Sequence, residues 1–300
     1  MVDFIHNNKD RYGVEAICRI LPIAASTYYR ALDLVDNPEH RAKRALHDLH
    51  HAEQIKRIWK ESLGRYGVRK VWQQLKREGY VIARCTVARL MQKLGIQGVW
   101  RGKNKQTTRS RDDQKRADDL VKRNFNADHP DQLWVADFTY IQTHSGWVYT
   151  AFIIDVFSRA IVGWKVSTRM NTDMVLDALE QALHDRGMPK NVIHHSDRGV
   201  QYLSIRYTNR LEAANLRASV GTTGDSYDNA LAETVNGLYK TEVIEYLKAD
   251  WQGLADVQLA TLNWVDWFNK ERVHSALGYV SPFEFEAMYY DKINPLGQVA

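Results

Sequence analysis

The pattern of apolar and polar positions changes character once along the chain. Up to about residue 126 the spacing is helical. The stretch YGVEAICRILPIAASTYYRAL (12–32) carries two short helical patterns separated by Leu21-Pro22, and residues 40–61 read as a charged helix with Leu46, Leu49, Ile55 and Ile58 as scattered apolar positions. In YGVRKVWQQLKREGYVIARCTVARLMQKLGI (66–96), Val68, Val71 and Leu75 share one face of a first helix. After a break at Glu78-Gly79-Tyr80, Val87, Leu90, Met91 and Leu94 share one face of a second. Two helices of this length joined by a short glycine-containing turn form a helix-turn-helix pattern. The second helix turns Arg84, Arg89, Gln92 and Lys93 outward, side chains suited to phosphates and base edges.

From residue 132 the pattern alternates. QLWVADFTYIQT, GWVYTAFIIDVFS and RAIVGWKVST predict three consecutive strands, with turns at His144-Ser145-Gly146 and Ser158-Arg159. TDMVLDALEQALHDRG (172–187) predicts a helix capped by Thr172 and closed by Gly187-Met188-Pro189. A short strand in KNVIHHS, a helix over 204–217, a strand at RASVG (217–221), a polar loop and a long helix over 229–246 complete the order βββαβαβα. That order is α/β: a mixed five-stranded sheet with helices packed on it, preceded by an all-α region.

Charge divides the chain at the same place. Residues 1–126 hold 27 Lys+Arg against 14 Asp+Glu, while 127–300 hold 14 against 22. A basic first half points to a polyanionic partner. Within it, RGKNKQTTRSR (101–111) brings Arg101, Lys103, Lys105, Arg109 and Arg111 together without an acid or an apolar residue, as a linker able to follow a nucleic-acid backbone would. No apolar run is long enough to span a membrane, and MVDFIHNNKDRYG is not patterned as a secretory signal. The two cysteines, Cys18 and Cys85, lie far apart without metal-ligand spacing, which excludes a zinc finger and argues for a reducing compartment. The expected domains are a helical, helix-turn-helix-like region at 1–60, the helix-turn-helix at 61–98, the basic linker at 99–126, an α/β core at 127–247 and a C-terminal helical block at 248–300.

Candidate chemistry centres on VIHHSDRGVQY (192–202). Ser196 lacks a nucleophile-elbow context. His194 and His195 point to opposite faces of a strand and cannot converge on one ion. That leaves Asp197, at the strand end before Arg198-Gly199, where Arg198 offers a phosphate contact and His195 shares the face of Asp197. Asp137 stands inside the apolar strand segment WVADF, where a charge is costly unless it is paired or binds a cation. On the last helix, stepping about 100° per residue puts Asn229, Glu233, Asn236, Gly237 and Lys240 on one face. Leu231, Val235, Leu238 and Glu242 fall opposite, which makes Glu242 a structural, ion-paired group. Three carboxylates without a His or Cys ligand suit hard cations, magnesium or manganese, two of which would activate a hydroxyl and stabilise a leaving oxygen at a phosphodiester. Among 36 acidic residues, however, spacing alone does not single out these three. Asp155 reads as a turn former and Asp228 as a helix cap. Asn269, Arg272 and His274 read as packing residues, and Trp264 and Trp267 as core.

LWVADFTYI, IIDVFSRAIVGW, HHSDRGVQY and DNALAETVNGLYKTE resemble, in order and spacing, the catalytic core of the retroviral-integrase superfamily. The 35 residues between Asp197 and Glu233 match that superfamily's D,D(35)E triad. The closer resemblance, over about residues 10–290, is to the second-frame (OrfB-type) transposases of the third bacterial insertion-sequence family. RYGVRKVWQQLKREGYVIARCTVARLMQKLGI is similar to their helix-turn-helix, and WFNKERVHSALGYVSPFEF (267–285) to their C-terminal block. The resemblance implies a ribonuclease-H-like core in which Asp137, Asp197 and Glu233 hold two magnesium ions, with manganese as a substitute. It implies cleavage at element ends to free a 3′-hydroxyl, which then attacks a phosphodiester, with Lys240 at the terminal nucleotides. The implied partners are double-stranded DNA, further copies of the chain (at least a dimer) and an upstream-frame protein joined by frameshifting, in the bacterial cytoplasm at the nucleoid. Two other functions fit the same pattern: a nuclease that hydrolyses without joining, and a catalytically silent DNA-binding regulator.

Overall fold

The structure is a computed structural model that describes residues 1–100, 121, 125–197, 200–220, 230–247 and 250–294. It divides into two units, Met1–Gly98 and Val99–Ala300.

In the first unit, α1 (Val2–Tyr12), α2 (Val14–Ile20) and α3 (Ala25–Asp36) enclose Ile5, Ile17 and Tyr28. Only α2 and α3 are foreseen by the sequence pattern; α1 is so polar that Ile5 alone of its residues is fully buried. α4 (Lys43–Glu61) buries Ile55 and Ile58 and leaves Leu49 exposed. α5 (Val68–Arg77) and α6 (Arg84–Lys93) bury Val71, Leu75, Val87, Leu90 and Met91. Their connection depends on Gly79 at φ 86°, a left-handed conformation that glycine adopts without strain. There Tyr80 N–H donates to the Leu75 carbonyl at 2.9 Å and Gly79 N–H to that of Lys76 at 3.1 Å, satisfying the end of α5. Leu94, expected to point inward, is instead at the surface, because α6 stops at Lys93 and Gly95, also at positive φ, turns the chain away from the helical register.

The second unit is built on one sheet of order β3-β2-β1-β4-β5. β1 (Leu133–Thr143), β2 (Gly146–Asp155) and β3 (Ile161–Ser167) form an antiparallel meander. β4 (Ile193–Ser196) and β5 (Arg217–Val220) run parallel to β1 and are reached through α7 (Thr172–Asp185) and α8 (Ile205–Ala213), the crossovers that parallel pairing demands. Trp134, Ala136 and Ile153 pack on one face of the sheet with Val175 and Leu179 of α7 and Leu211 of α8. α7 lies so close that a Cβ on Gly163 would come within 2.2 Å of the Ala178 carbonyl oxygen. On the opposite face Phe152 meets Tyr239, the last residue of α9 (Ala230–Tyr239), with ring centres 5.1 Å apart, and Trp264 of α10 (Leu254–Lys270) at 5.9 Å. The mixed five-stranded sheet with helices on both faces is the architecture expected.

Local details depart from the pattern. Asn171, not Thr172, caps α7: it holds an extended conformation and accepts from Met174 N–H at 3.2 Å, while Thr172 is already helical. The long helix expected over 229–246 ends at Tyr239 and continues as a π-helical turn, Lys240–Glu245. The wider turn accompanies a buried charge. Glu242 accepts from Trp264 Nε1 at 3.1 Å and from the Arg272 guanidinium, whose Nη2 lies 2.6 Å from Oε1. The ion-paired reading of Glu242 is thus correct, and Trp264 and Trp267 are core. Asp155 does form a turn, accepting from the Ser158 N–H and hydroxyl and from Asp131 N–H. Asn269 uses its amide on the backbone of β3, accepting from Ile161 N–H at 2.9 Å and donating to its carbonyl at 2.8 Å. Nearby, Gln181 of α7 accepts from Trp164 N–H at 2.9 Å. α11 (Pro282–Ile293) starts with a Ser281/Glu284 capping box and is tied to the end of α7 by Arg186, which bonds both Asp131 and Glu286. Among the described residues, no helix is long and apolar enough to cross a membrane.

Candidate active site

β1 and β4 pair in parallel as far as Ala136 opposite Ser196. Asp137 follows on β1 and Asp197 comes directly after the last residue of β4, so the two aspartates stand next to each other just beyond the end of the ladder. From the helical side, Asn236 of α9 donates from Nδ2 to Asp137 Oδ2 at 2.8 Å. Glu233 lies three residues earlier on α9, hence on the same face. β1, the end of β4 and α9 therefore each bring one acid to the same neighbourhood.

Electrostatics report the same convergence. Burial, then the charge of Asp197, and more weakly that of Glu233, push the Asp137 carboxyl up to about 7, against hydrogen bonds from Phe138 N–H and Asn236 that favour its ionised form. Asp137 is half-buried, while Asp197 and Glu233 are exposed. Two polar atoms are buried at this spot without a hydrogen-bond partner among the described residues: the Tyr202 hydroxyl and Asn236 Oδ1. Tyr202 is near enough for the charges of both aspartates to act on it, and its ring lies 6.2 Å from that of Phe138. Its place beside the acids is a feature the sequence reading missed, although Tyr202 ends the very motif that reading singled out.

Among the described residues, no three His, Cys, Asp or Glu side chains are drawn together as a metal cage. The donors still suit a hard cation: acidic oxygens whose mutual repulsion a divalent ion would relieve, with buried oxygen atoms beside them that lack partners. The two histidines are otherwise occupied. His195 Nδ1 is 2.9 Å from the Ser219 hydroxyl across the β4–β5 ladder, with its ring against Phe125. His194 Nε2 is 3.0 Å from the Tyr207 hydroxyl, and burial lowers its pKa to about 4, so it is a neutral core residue.

The basic candidates divide. Lys240 opens the π-helical turn, with Nζ 4.8 Å from the centre of the Tyr140 ring. In the first unit Arg84, Arg89 and Lys93 are all exposed on α6, as expected of outward residues. Arg89 is engaged by Asp48 of α4, with bonds of 2.7 and 3.0 Å. A groove between these helices is lined by Lys43, Arg44, His47 and Thr86 as well as Arg89; the α4 residues in it come from the run RAKRALH, whose charge was the available signal. Arg198, Asn229, Asp228, Arg101, Lys103 and Lys105 lie outside the described residues.

An antiparallel meander extended by parallel strands, with carboxylates at the adjoining ends of β1 and β4 and on the facing helix, defines the polynucleotidyl-transferase class of integrase cores. The comparisons with known proteins agree. Residues 127–226 and 214–282 match two models described as integrase core domain, and 47–104 match an HTH-like domain. The chain is 52% identical over 293 residues to the transposase for insertion sequence element IS629 of Shigella sonnei, covering 98% of both chains. It is 31% identical over 285 residues to transposase InsF for insertion sequence IS3A of Escherichia coli K12, covering 94% of this chain and 97% of that one. A solved HTLV-2 integrase catalytic core domain in complex with magnesium aligns over 54% of this chain and 99% of that one, at 18% identity and a TM-score of 0.44. The chain belongs to the family of insertion-sequence transposases, with an integrase-type, ribonuclease-H-like core.

Proposed function

We propose that this chain cuts DNA at the ends of an insertion sequence and joins the freed ends to new DNA, using Asp137, Asp197 and Glu233. The observation that supports this reading most is that the charges of Asp197 and Glu233 both act on the buried Asp137 carboxyl. Such repulsion is costly to maintain and is relieved when cations bind. The three carboxylates would hold two magnesium ions, with manganese as a substitute; when bound, the ions lower the pKa of an attacking hydroxyl and stabilise the leaving oxygen. In the first step a water oxygen bonds to phosphorus and the bond from phosphorus to the 3′-oxygen breaks. The departing oxygen takes a proton to become a 3′-hydroxyl, and a 5′-phosphate is left on the flanking DNA. In the second step that 3′-hydroxyl bonds to a target phosphorus and a target 3′-oxygen leaves.

Asn236 fixes the Asp137 carboxylate through its 2.8 Å bond, so α9 positions Glu233 and orients Asp137 together. Lys240, on the same helical run, holds the phosphates near the cut. Arg84, Arg89 and Lys93 of the helix-turn-helix, the Arg101–Lys105 linker and Arg198 and Asn229 around the core bind double-stranded DNA, whereas Asn236, buried against Asp137, orients that carboxylate instead of meeting DNA. Two element ends require at least a dimer, and the upstream-frame protein, joined by frameshifting, adds end recognition. The domain limits follow the sequence reading, 61–98 reading DNA and 127–247 performing the chemistry, at the bacterial nucleoid.

Incubation of the protein, with and without its upstream-frame partner, with labelled element-end DNA and magnesium tests the reading. Joined products are the expected outcome, and Asp197→Asn should abolish them. Hydrolysis without joining would favour the nuclease function, and binding without cleavage the silent regulator. Joining left unchanged by Asp197→Asn would refute the assignment of the site.

A further inference from the structure

Tyr140 on β1 and Trp147 on β2 meet edge to face, ring centres 5.3 Å apart, yet they remain 43% and 49% exposed. A cross-strand aromatic pair on a hairpin contributes stability by itself, but this pair has two further properties. The first is an attached charge: Lys240 Nζ lies over the Tyr140 ring at 4.8 Å, and among the described residues no carboxylate is paired with it. The second is rigidity. The hairpin turn beneath the pair is braced by bonds from His144 N–H to the Trp251 carbonyl at 2.9 Å and from Ser145 N–H to that of Gln252 at 3.1 Å.

The pair is also close to the carboxylates. Tyr140 is three residues along β1 from Asp137, about 10 Å and on the other face of the strand; the link to the carboxylates is Lys240, seven residues and about 10 Å along the helical run from Glu233, whose Nζ reaches the Tyr140 ring. At 3.4 Å per stacked step, that separation corresponds to roughly three nucleotides.

We propose that Tyr140 and Trp147 form a stacking platform for an unpaired nucleobase of the DNA strand within about three nucleotides of the cut, with Lys240 holding the adjoining phosphate. The occupant follows from complementarity: two exposed π faces take a base of any identity, and the cation beside them takes the phosphate attached to it. An apolar protein partner would leave Lys240 uncompensated. The platform rests on the reading of Asp137, Asp197 and Glu233 as the cleavage site, because that reading brings a DNA strand to this hairpin. It makes the site one for locally melted rather than fully paired ends.

The test uses the full chain and a short single-stranded oligonucleotide carrying one 2-aminopurine, without divalent ions so that no chemistry occurs. Binding should quench the 2-aminopurine fluorescence. Trp147→Ala should abolish the quench and weaken binding roughly 5- to 100-fold, while Trp147→Phe keeps both. A thermal unfolding profile matching wild type shows that Trp147→Ala is folded, as expected for a half-exposed side chain. Quenching and affinity unchanged in Trp147→Ala would overturn the platform. The outcome is separable from that of the catalytic reading: Asp197→Asn should leave quenching intact while abolishing joining, so either reading can fail while the other's own readout persists.

Discussion

Replacing Arg272 by Met should be among the most damaging single changes in the second unit, although Arg272 has no bond with Asp137, Asp197 or Glu233 among those described. Its side chain is 6% exposed and that of Glu242 8% exposed, so both charges are buried. Arg272 donates from Nε to both Glu242 oxygens, at 3.2 and 3.1 Å, and from Nη2 at 2.6 Å. Removing it takes the guanidinium away from a buried carboxylate, while Trp264 Nε1 remains among its donors. Breaking a buried pair from one side costs about 3–5 kcal/mol. In a unit of this size each kcal/mol lowers Tm by about 2–4 °C, so the transition should fall by roughly 6–20 °C. Differential scanning calorimetry is the assay, and the two units call for fitting two transitions. Glu242→Leu combined with Arg272→Met removes both charges and should recover most of the loss. A single variant melting within about 2 °C of wild type would refute the reasoning, as would a double variant worse than either single one. Because Glu242 lies within the π-helical turn that follows α9, the single variant should also slow strand joining.

The remaining expectations concern packing, protonation and salt. Gly163→Ala should destabilise the second unit by about 1–3 kcal/mol or more, measured by urea unfolding, because its Cβ meets the Ala178 carbonyl oxygen at 2.2 Å and α7 must shift. His194 is neutral in the core, with its pKa lowered from 6.5 to about 4. Between those values the unfolded chain binds the extra proton, so the contribution of His194 is complete above pH 6.5 and is lost as pH falls towards 4. The loss is about 3 kcal/mol; His194→Asn should flatten that part of the stability curve, and an unchanged slope would contradict it. Affinity for duplex DNA should fall steeply with salt, with a log–log slope of about −0.9 per phosphate neutralised. Arg84→Ala and Lys93→Ala should each make that slope shallower, whereas Arg89, engaged by Asp48, should matter less.

The sheet was readable in the sequence because its strands alternate and its first crossover helix is closed by Gly187-Met188-Pro189. Asp137 was visible as a charge in an apolar strand, and Glu233 as a front-face acid on an amphipathic helix. What hid lay in tertiary contacts. A 100° wheel does not foresee a π-helical turn, and the partner of Glu242 inside it, Arg272, lies thirty residues further along the chain. Arg89 looked free on its helix because Asp48, its partner, sits forty-one residues earlier. Tyr202 could not be told from an ordinary core tyrosine until its hydroxyl was placed near two aspartates, with no hydrogen-bond partner among the described residues.

The hold of Asn269 on β3 has a consequence for how copies of the chain meet. β3 is one of the two outermost strands of the sheet, and its Ile161 N–H and C=O are both taken by that one amide, with Trp164 N–H taken by Gln181. A strand from a second molecule finds those groups already occupied, so the sheet is not extended across this border. Asn269→Ala would uncover those groups of β3 and leave them open to pairing with a strand of another copy.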